Sequence, residues 1–525
     1  MQNNELKPLP TSVSDIRTII SEGYLYVDKT KYVYDMVKLT GKYFLSRPRR
    51  FGKSMLLSTF EKVFQGDKEL FKDQWIYNSP LQWKTHPIIR LDFNVASDTD
   101  LKMYIKDQLR QVAIHYAVFD EKYYENSTYD SYFNDLVKKL YAAFKEIGVI
   151  VLIDEYDKPI LDVIENIELA EKKRDILKGF YTVMKGLDEE LRFVFLTGVS
   201  RFSKVGVFSG LNNLEDISMS DNYSDICGIS QEELEYYCAN HIHALAEKHA
   251  LTYAECLERI KAWYNGFCFS RHGLSVYNPY STMNILKDGE FKNYWFSSGN
   301  ASFLIKLIKQ EPDLKIFKFD EYRANESAFD TFDISNLNII AILFQAGYLT
   351  IKSYDVDSDT YILSYPNQEI SKSFKNNVLT LCSRSIAEAE NSLSELTYAL
   401  NNNDLKTVMN TLKDIFLNID YDIQLSRENN YQSIFYLIFQ LLGINIKVEY
   451  KTDRGRIDAL VETKTNIYVF EFKLNRSAKE ALDQIKDKDY ALRFAGRGKP
   501  VYLIGANFNS DKRNIDDHII EGFKE

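Results

Sequence analysis

Short apolar runs alternate with stretches of helical periodicity over about the first 220 residues. The runs are short enough for strands, and polar or turn-forming residues bound each of them. They lie at 43–45, 88–93, 149–154 and 193–197. Strands that alternate with helices are typical of a parallel sheet covered by helices on both faces. We therefore predict an α/β domain at 1–220.

The pattern becomes mostly helical from about 221 to 415, with one exception. Apolar residues at 348–351 and 361–363 flank the polar run DVDSD, which predicts a β-hairpin after a helix. Such a pair is typical of a wing-like element, and a small structural subdomain is the alternative. Helix and strand patterns return from about 426. We predict a helical middle region at 221–415 and a C-terminal α/β domain at 416–525.

The stretch LSRPRRFGKSM ends like a phosphate-binding loop. Gly52, Lys53 and Ser54 fit the end of the pattern G-x-x-x-x-G-K-[ST], but Arg47 stands where the first glycine belongs. Three matching residues occur often by chance, so the context decides. An apolar strand precedes the loop and the residues after Ser54 have helical character. Backbone N–H groups would then face phosphates, Lys53 would contact their oxygens, and Ser54 would bind Mg²⁺.

Two acidic residues follow the apolar run at 149–153. Asp154 and Glu155 would stand at the carboxyl end of a buried strand, where ligands bind in α/β sheets. Asp154 is predicted to hold Mg²⁺ through water, and Glu155 to polarise an attacking water. The next strand leads into the stretch TGVSR at 197–201. Thr197 is a candidate for sensing the γ-phosphate of a bound nucleotide, and Arg201 is a candidate for stabilising its charge. The alternative is that these two residues belong to an ordinary turn.

A second set of charged residues lies near the end of the chain. Two apolar runs flank a four-residue turn, so antiparallel pairing would place Asp458 opposite Glu471. Glu471 and Lys473 are two apart on one strand and leave the same face. The two carboxylates would hold Mg²⁺ and the lysine would orient water or stabilise charge, as a phosphodiesterase requires. Upstream, Glu428 is a candidate further metal ligand, and Gln484 lies on the following helix.

Two alternatives remain for this second set: a hairpin with ordinary surface charges, and an inactive nuclease fold. Charge gives modest support to substrate contact, because 447–525 carries 16 Lys and Arg against 14 Asp and Glu, while the whole chain has a net charge of −10. Eight basic residues are candidates for a groove that follows a phosphate backbone. They are Arg454, Arg456, Lys473, Arg476, Lys479, Arg493, Arg497 and Lys499.

Several motifs resemble those of one protein family. They are YVDKT at 26–30, RPRRFGKS at 47–54, DEYDKP at 154–159, WYNGF at 263–267 and YNPYS at 277–281. Together they resemble the AAA-ATPase-like family of prokaryotic proteins that carry a C-terminal PD-(D/E)XK nuclease domain, over nearly the whole chain. The resemblance implies an ATP-binding P-loop domain and a C-terminal restriction-endonuclease-like fold. The C-terminal acids, lysine and glutamine follow the PD-(D/E)XK order.

The resemblance also bears on the unusual loop entrance, since R-P-R-R-F is typical of the family at this place. It implies a nucleotide-binding segment made of Arg49, Arg50, Phe51, Gly52, Lys53, Ser54 and Met55. Arg49 and Arg50 would contact phosphates or a neighbouring subunit, or would only pair with surface acids. The WYNGF stretch is interpreted as packing plus a turn, with a lid toward the nucleotide as the alternative.

The bulk properties limit the function classes. The chain has 525 residues, 45% of them apolar and 27% charged, which indicates a globular protein of several domains. A net charge of −10 argues against a protein that coats nucleic acid with its whole surface. Five dispersed cysteines without a C-x-x-C pair favour the cytoplasm. No signal peptide or membrane-spanning run is recognised, so no membrane partner is expected.

The favoured hypothesis is an ATPase fused to a magnesium-dependent nuclease, with ATP and Mg²⁺ as cofactors. Nucleotide state would gate the cleavage of nucleic acid, DNA being favoured over RNA, in defence or repair. Self-association into a homo-oligomer is a further hypothesis. One alternative is a nucleotide-driven signalling or scaffold switch whose nuclease-like domain only binds. Another is an ATPase whose C-terminal domain docks its substrate.

Overall fold

The computed structural model describes residues 6–95, 100–202, 208, 211, 213–295, 322–330, 334, 338–379, 386–419, 428–442, 444–452, 455–494 and 498–523. The chain forms two compact units. Unit 1 comprises Met1–Gly299 and Asp320–Ile370, and unit 2 comprises Asn300–Phe319 and Ser371–Glu525. In the described part of the chain, no helix combines the length and the apolar character needed to cross a membrane.

A parallel five-stranded sheet forms the centre of unit 1. Its strands are β1 (Gly41–Ser46), β2 (Ile88–Asp92), β3 (Val149–Asp154), β4 (Leu191–Gly198) and β5 (Glu215–Asp216). Their order is β2-β3-β4-β1-β5, and every neighbouring pair is parallel. All residues of β3 are buried, as the continuous apolar run predicts. The parallel sheet predicted from the sequence is therefore confirmed.

Eight α-helices accompany this sheet in the described part of the chain before residue 213. They are α1 (Ile16–Ser21), α2 (Thr30–Val37), α3 (Lys53–Phe64), α4 (Leu101–His115), α5 (Glu121–Asn126), α6 (Tyr129–Ala143), α7 (Lys158–Leu161) and α8 (Ile167–Val183). Short 3-10 helices lie at Lys68–Phe71, Trp75–Asn78, Phe93–Val95 and Met184–Leu187. Since all strands run in one direction, β1, β3 and β4 bring their carboxyl ends, and the residues that follow them, to one edge of the sheet.

The rest of unit 1 combines helices with a small antiparallel sheet. The helices are α9 (Gln231–Lys248), α10 (Tyr253–Tyr264), α11 (Pro279–Asp288), α12 (Ser327–Asp330) and α13 (Ile339–Gln345), with a 3-10 helix at Asp221–Tyr223. The strands are β6 (Tyr322–Ala324), β7 (Thr350–Asp355) and β8 (Thr360–Ser364). The predicted hairpin is β7–β8, and β6 pairs with β8 as a third strand. Ile351 N–H also donates to Cys268 O at 3.3 Å, which joins the hairpin to the segment that follows α10.

Unit 2 contains a mixed five-stranded sheet, which agrees with the α/β domain predicted for the C-terminus. Its strands are β9 (Asn445–Thr452), β10 (Gly455–Glu462), β11 (Ile467–Leu474), β12 (Val501–Asn509) and β13 (Asn514–Gly522), in the order β13-β12-β11-β10-β9. Only β11 and β12 pair in parallel. The helices are α14 (Gln368–Leu379), which begins in unit 1, α15 (Ile386–Asn401), α16 (Leu405–Leu417), α17 (Glu428–Leu441) and α18 (Ala478–Asp487), with a 3-10 helix at Tyr490–Phe494. Helix α17 packs on β9–β11, and α18 packs on β11–β13.

Candidate functional site

Arg47, at the position of the missing first glycine, points into the protein and not toward solvent. Its side chain is 1% exposed. The guanidinium donates to the carbonyl oxygens of Ser46 at 2.9 Å, Ser218 at 2.7 Å and Tyr223 at 3.0 Å. It also lies 4.3 Å from the centre of the Phe269 ring. Arg47 thus ties the end of β1 to the segment that follows β5, and burial lowers its pKa to about 10.

The second half of the loop has the geometry expected of a phosphate site. Gly52 has a φ of 89°, which a side chain disfavours, and α3 starts at the next residue. Lys53 is 4% exposed, and its Nζ donates to Arg47 O at 3.1 Å and Pro48 O at 3.2 Å. The same Nζ lies 3.4 Å from Glu155 Oε1. The loop, the helix start and the acidic strand end therefore converge on one lysine.

Asp154 and Glu155 differ sharply in their surroundings. Asp154 is buried, and neither carboxylate oxygen has a hydrogen-bond partner in the described part of the chain. Burial raises the pKa of Asp154 to about 6, and the nearby Ser54 hydroxyl offsets this only in part. Glu155 is half-buried and has a φ of 51°, an uncommon value for a residue with a side chain. An unpaired buried carboxylate is costly, so Asp154 fits a site that a cation completes.

A cavity of about 490 Å³ opens beside this loop, within unit 1. Predicted site residues that line it are Arg49, Arg50, Phe51, Gly52, Lys53, Ser54, Met55 and Glu155. Most of the other walls come from 10–14, 25–27, Lys29, 226–229 and α11. Its lining contains five basic side chains and one acid: Lys29, Arg49, Arg50, Lys53, Lys158 and Glu155. This excess of positive charge suits a polyanionic ligand.

The two arginines after Pro48 are exposed at the cavity. The Arg50 guanidinium lies 4.9 Å from the centre of the Tyr280 ring. No acid in the described ranges forms an ion pair with Arg49 or Arg50, so the surface-acid alternative finds no support there. Phe51 is buried instead, and its ring meets Phe267 edge-on at 4.8 Å. The WYNGF stretch therefore packs against the loop, as the interpretation of packing plus a turn predicts.

The C-terminal residues come together at the open end of the β10–β11 hairpin. Ala459 pairs with Phe470, so the same register places Asp458 opposite Glu471. The Phe472 N–H donates to Asp458 Oδ2 at 2.8 Å, which fixes the aspartate against β11. Lys473 Nζ donates to Glu471 Oε1 at 3.3 Å. The sequence prediction of two carboxylates and a lysine on adjacent strands agrees with this geometry.

Glu471 lies in the interior at 1% exposure. Its Oε1 also accepts a hydrogen bond from the Gln484 side chain on α18, while Oε2 has no partner in the described part of the chain. Burial, and then the negative charge of Asp458, raises the pKa of Glu471. The unpartnered Oε2 beside a second carboxylate fits a hard cation such as Mg²⁺. Of the predicted third ligand, Glu428, the structure gives only its place as the first residue of α17.

Comparison with known proteins relates both regions of the chain to known families. Residues 10–208 match the family model described as Predicted AAA-ATPase, and residues 426–518 match the PD-(D/E)XK nuclease superfamily. The uncharacterized protein in vnfD 5'region of Azotobacter chroococcum mcd 1 is 34% identical over 532 residues, covering 98% of this chain and 99% of that relative. The chain belongs to the AAA-ATPase-like proteins with a C-terminal PD-(D/E)XK nuclease domain.

The carboxyl end of β4 in this AAA-ATPase-like domain does not bring Thr197 and Arg201 to the cavity, contrary to what the sequence suggests. Arg201 Nε donates to Asp216 Oδ2 at 2.6 Å, because β5 brings that acid next to it. Neither Arg201 nor Thr197 lines the cavity, although the Thr197 hydroxyl is buried and lacks a partner in the described part of the chain. The structure therefore does not bring Arg201 to the cavity beside Lys53; Arg201 lies instead near the loop entrance, with Arg47 and Pro48.

Asp157 is a residue of the AAA-ATPase-like domain whose role the sequence did not reveal. Its carboxylate is buried and accepts the backbone N–H groups of Val199 at 3.1 Å and Ser200 at 2.5 Å. A Cβ at Gly198 would overlap the Asp157 carboxylate and the Tyr156 ring. Asp157 thus joins the ends of β3 and β4. Its place in the DEYDKP motif was the available signal.

Of the eight basic residues predicted to form a groove in the nuclease domain, Lys499 lies away from the two carboxylates. Lys499 donates to Glu462 Oε1 at 2.7 Å and to Thr463 O at 2.9 Å, beside the β10–β11 turn. Lys473 lies near the other end of β11, roughly 20 Å away at about 3.3 Å per residue. Lys499 is therefore excluded from a groove at the two carboxylates. Arg454 and Arg497 lie outside the described residues. Arg476 pairs loosely with Glu480, at 3.9 Å, on the exposed surface.

A metal site in this AAA-ATPase-like protein would rest on few ligands. The described residues contain no group of three or more His, Cys, Asp or Glu side chains arranged to hold a metal ion. Asp458 and Glu471 supply two carboxylates, and Ser54 and Asp154 supply a hydroxyl and a carboxylate. Water and substrate oxygens complete such sites for Mg²⁺, which keeps several waters when bound.

Glu369 is a second buried acid that the sequence did not point to. Its Oε1 accepts the backbone N–H groups of Tyr294 at 2.6 Å and Trp295 at 2.8 Å, and its Oε2 has no partner in the described part of the chain. Burial raises the pKa of Glu369 from 4.5 to about 7. Glu369 stands 74 residues after Trp295, so no local pattern links the two.

This raised pKa predicts a pH-dependent effect of Glu369→Gln. The folded wild type binds the proton of Glu369 more tightly than the unfolded chain does, and this difference stabilises the folded state. The stabilisation is complete below about pH 4.5 and is lost as the pH rises through about 7. Relative to the wild type, the variant should gain about 2–3 kcal/mol in free energy of unfolding between pH 5 and pH 8. Urea unfolding of both proteins at pH 5 and at pH 8 measures this change in the free energy of unfolding.

The matched control for this prediction is Glu290→Gln, which changes an exposed acid in the same unit. Its difference in unfolding free energy from the wild type should stay nearly constant between the two pH values. The explanation would be wrong if the Glu369→Gln difference were equally constant.

Proposed function

We propose that this protein is an ATP-controlled, magnesium-dependent nuclease. One observation carries the proposal: each unit holds a buried carboxylate with an unpartnered oxygen, close to a lysine. In unit 1 this is Asp154, next to the Lys53–Glu155 pair, and in unit 2 it is Glu471, beside Lys473. Two such sites in one chain support two chemistries with metal-bound phosphate substrates.

The nucleotide site would bind the phosphates of ATP through the α3 amino end and Lys53. Ser54 and Asp154 would hold Mg²⁺, which neutralises charge on the phosphates when bound. Glu155 reaches the cavity and would accept a proton from the attacking water. The Lys53–Glu155 pair links the basic side chain that would contact phosphate to the carboxylate that would act on water. ATP binding would therefore separate or reorient that pair.

The C-terminal site would cleave phosphodiester bonds of nucleic acid. Asp458 and Glu471 would hold Mg²⁺, which activates water and stabilises charge on the phosphate when bound. Gln484 orients the Glu471 carboxylate from α18. Lys473 would orient the water or stabilise the developing charge. We favour DNA over RNA as the substrate. The nucleotide bound at the N-terminal site would control whether the C-terminal site cleaves, and such control would serve in defence or repair.

The alternative is a nucleotide-driven switch whose nuclease-like domain only binds. One observation favours it: only two acids, Asp458 and Glu471, are seen to meet at the C-terminal site in the described part of the chain. Under this alternative, nucleic acid would bind in a manner that depends on ATP, and no divalent metal would promote cleavage.

The deciding experiment is a cleavage assay with Mg²⁺ on single- and double-stranded DNA and RNA, with and without ATP. Cleavage that requires Mg²⁺ and changes with ATP would support the gated nuclease. Cleavage that is indifferent to ATP would contradict the gate and leave the nuclease. Binding without cleavage on all four substrates would favour the switch.

The variant Lys53→Ala should lose most ATP binding, with a dissociation constant higher by about 10²-fold, the equivalent of about 2.7 kcal/mol. Lys53 is the buried ammonium at the helix start, so its loss leaves the phosphates without their central cation. Titration calorimetry measures the constant. Lys62→Ala is the matched control, since Lys62 also lies on α3 but outside the cavity. Equal ATP affinity in Lys53→Ala and the control would show that Lys53 does not contribute to ATP binding.

A further inference from the structure

Residues that follow α11 and α13 contact the entrance of the phosphate loop. Trp295 Nε1 donates to Arg49 O at 2.9 Å. Trp295 is buried, and its ring meets Tyr348 edge-on at 5.3 Å. A Cβ at Gly347 would lie 2.8 Å from Pro48 Cβ, so the turn after α13 packs closely on the loop. Residues far away in sequence therefore fix Pro48 and Arg49.

Trp295 is itself fixed by Glu369. One carboxylate oxygen accepts both successive N–H groups of the Tyr294–Trp295 segment. Glu369 is 0% exposed, so these hydrogen bonds form away from water. In such surroundings they are stronger than in water, and they fix the backbone of the Tyr294–Trp295 segment. The resulting chain of contacts runs from Glu369 through the backbone of Trp295 and its indole to the Arg49 carbonyl.

The bond to Arg49 O sets the direction of the next N–H group. The peptide unit is planar and trans, so the Arg50 N–H points opposite to the Arg49 carbonyl, away from Trp295. Arg49 and Arg50 line the cavity, whereas Trp295 does not. Within the described part of the chain, no group accepts the Arg50 N–H. Arg50 also has a φ of 66°, an uncommon value for a side-chain-bearing residue, which needs support from its surroundings.

We propose that Trp295, held by Glu369, positions the Arg49–Arg50 peptide so that the Arg50 N–H faces bound phosphate. The inference rests on the proposed ATP site and adds two positioning residues to it. It also explains how the loop works without its first glycine. In a common loop, glycines let the backbone approach the phosphates, and here an external hydrogen bond aims the peptide instead.

The test compares ATP dissociation constants of the wild type, Trp295→Phe and Trp75→Phe. Trp295→Phe keeps an aromatic ring and removes the N–H, so its constant should rise by about 5–20-fold, the worth of about one to two hydrogen bonds. Trp75→Phe removes an indole that is 46% exposed in the same unit and lies outside the cavity. Its constant should equal that of the wild type. Adenosine binding should be unchanged in all three, because the positioned N–H serves phosphate.

A second pair of variants covers the case in which Trp295→Phe does not fold. Glu369→Gln keeps an oxygen at the Oε1 position, and Glu369→Met has similar length without an acceptor. The glutamine variant should retain most ATP affinity and the methionine variant should lose it. Equal affinities for Gln and Met, or for Trp295→Phe and wild type, would overturn the inference. A wild type that binds no ATP would instead overturn the proposed nucleotide site.

Discussion

Replacing Arg47 by alanine should lower the free energy of unfolding of unit 1 by about 3–5 kcal/mol. The substitution removes the Arg47 donor from the carbonyls of Ser46 and Ser218, and it removes one of the two donors to Tyr223 O, which keeps the Ile226 N–H at 3.3 Å. It also opens a cavity beside Phe269. A buried acceptor that loses its partner costs about 1–3 kcal/mol, so the two acceptors that lose their donor, Ser46 O and Ser218 O, act together with the cavity. The effect is large because the whole side chain is inside the protein.

Urea unfolding followed by circular dichroism measures this loss. Arg49→Ala is the matched control, since it truncates an exposed arginine two residues away and should change stability by less than about 0.5 kcal/mol. Arg47→Lys should recover little, because an ammonium cannot reach three carbonyls in the planar geometry of a guanidinium. If Arg47→Ala were as stable as Arg49→Ala, the anchoring role of Arg47 would be refuted.

Replacing Asp458 by asparagine should lower the rate of nucleic-acid cleavage by about 10³-fold or more. Asparagine keeps an oxygen for the Phe472 N–H, so the hairpin should remain folded while the site loses a negative charge. Lys473→Met should cause a loss of similar size, because it removes the only ammonium seen beside Glu471 in the described part of the chain. Initial cleavage rates at saturating Mg²⁺ measure both effects.

Lys499→Met is the control for these nuclease variants. It removes an ammonium from the same domain, but at the turn end of the hairpin, and should cleave within about twofold of the wild type. Thermal unfolding of all variants separates loss of chemistry from loss of fold. Full cleavage by Asp458→Asn would show that this acid does not take part in the reaction.

The sequence predicts the parts of both sites that depend on local pattern. The strand before Gly52, the helix after it and the apolar run before Asp154 all appear where the periodicity places them. The hairpin register that opposes Asp458 and Glu471 follows from two apolar runs and a short turn. In each case, neighbours in the chain decide the outcome.

Contacts between distant residues account for what the sequence did not predict. Arg47 could not be assigned to the interior, because its three carbonyl partners include two that lie more than 170 residues away. Arg201 binds Asp216 because β5 pairs with β1 at the edge of the sheet. A strand of two residues is too short to be predicted from the sequence pattern. The support of Arg49 by Trp295 likewise joins residues 246 apart.

The burial of Arg47 has an evolutionary consequence. A glycine introduced at this position would not restore a common phosphate loop, because it would leave the interior carbonyls of Ser46 and Ser218 without the Arg47 donor. An arginine introduced into a common loop would lack those carbonyls and would strand a charge in the core. Each intermediate should be less stable than either end, so the residue and its pocket must change together. Such epistasis would keep an R-P-R-R-F lineage distinct from glycine-containing relatives.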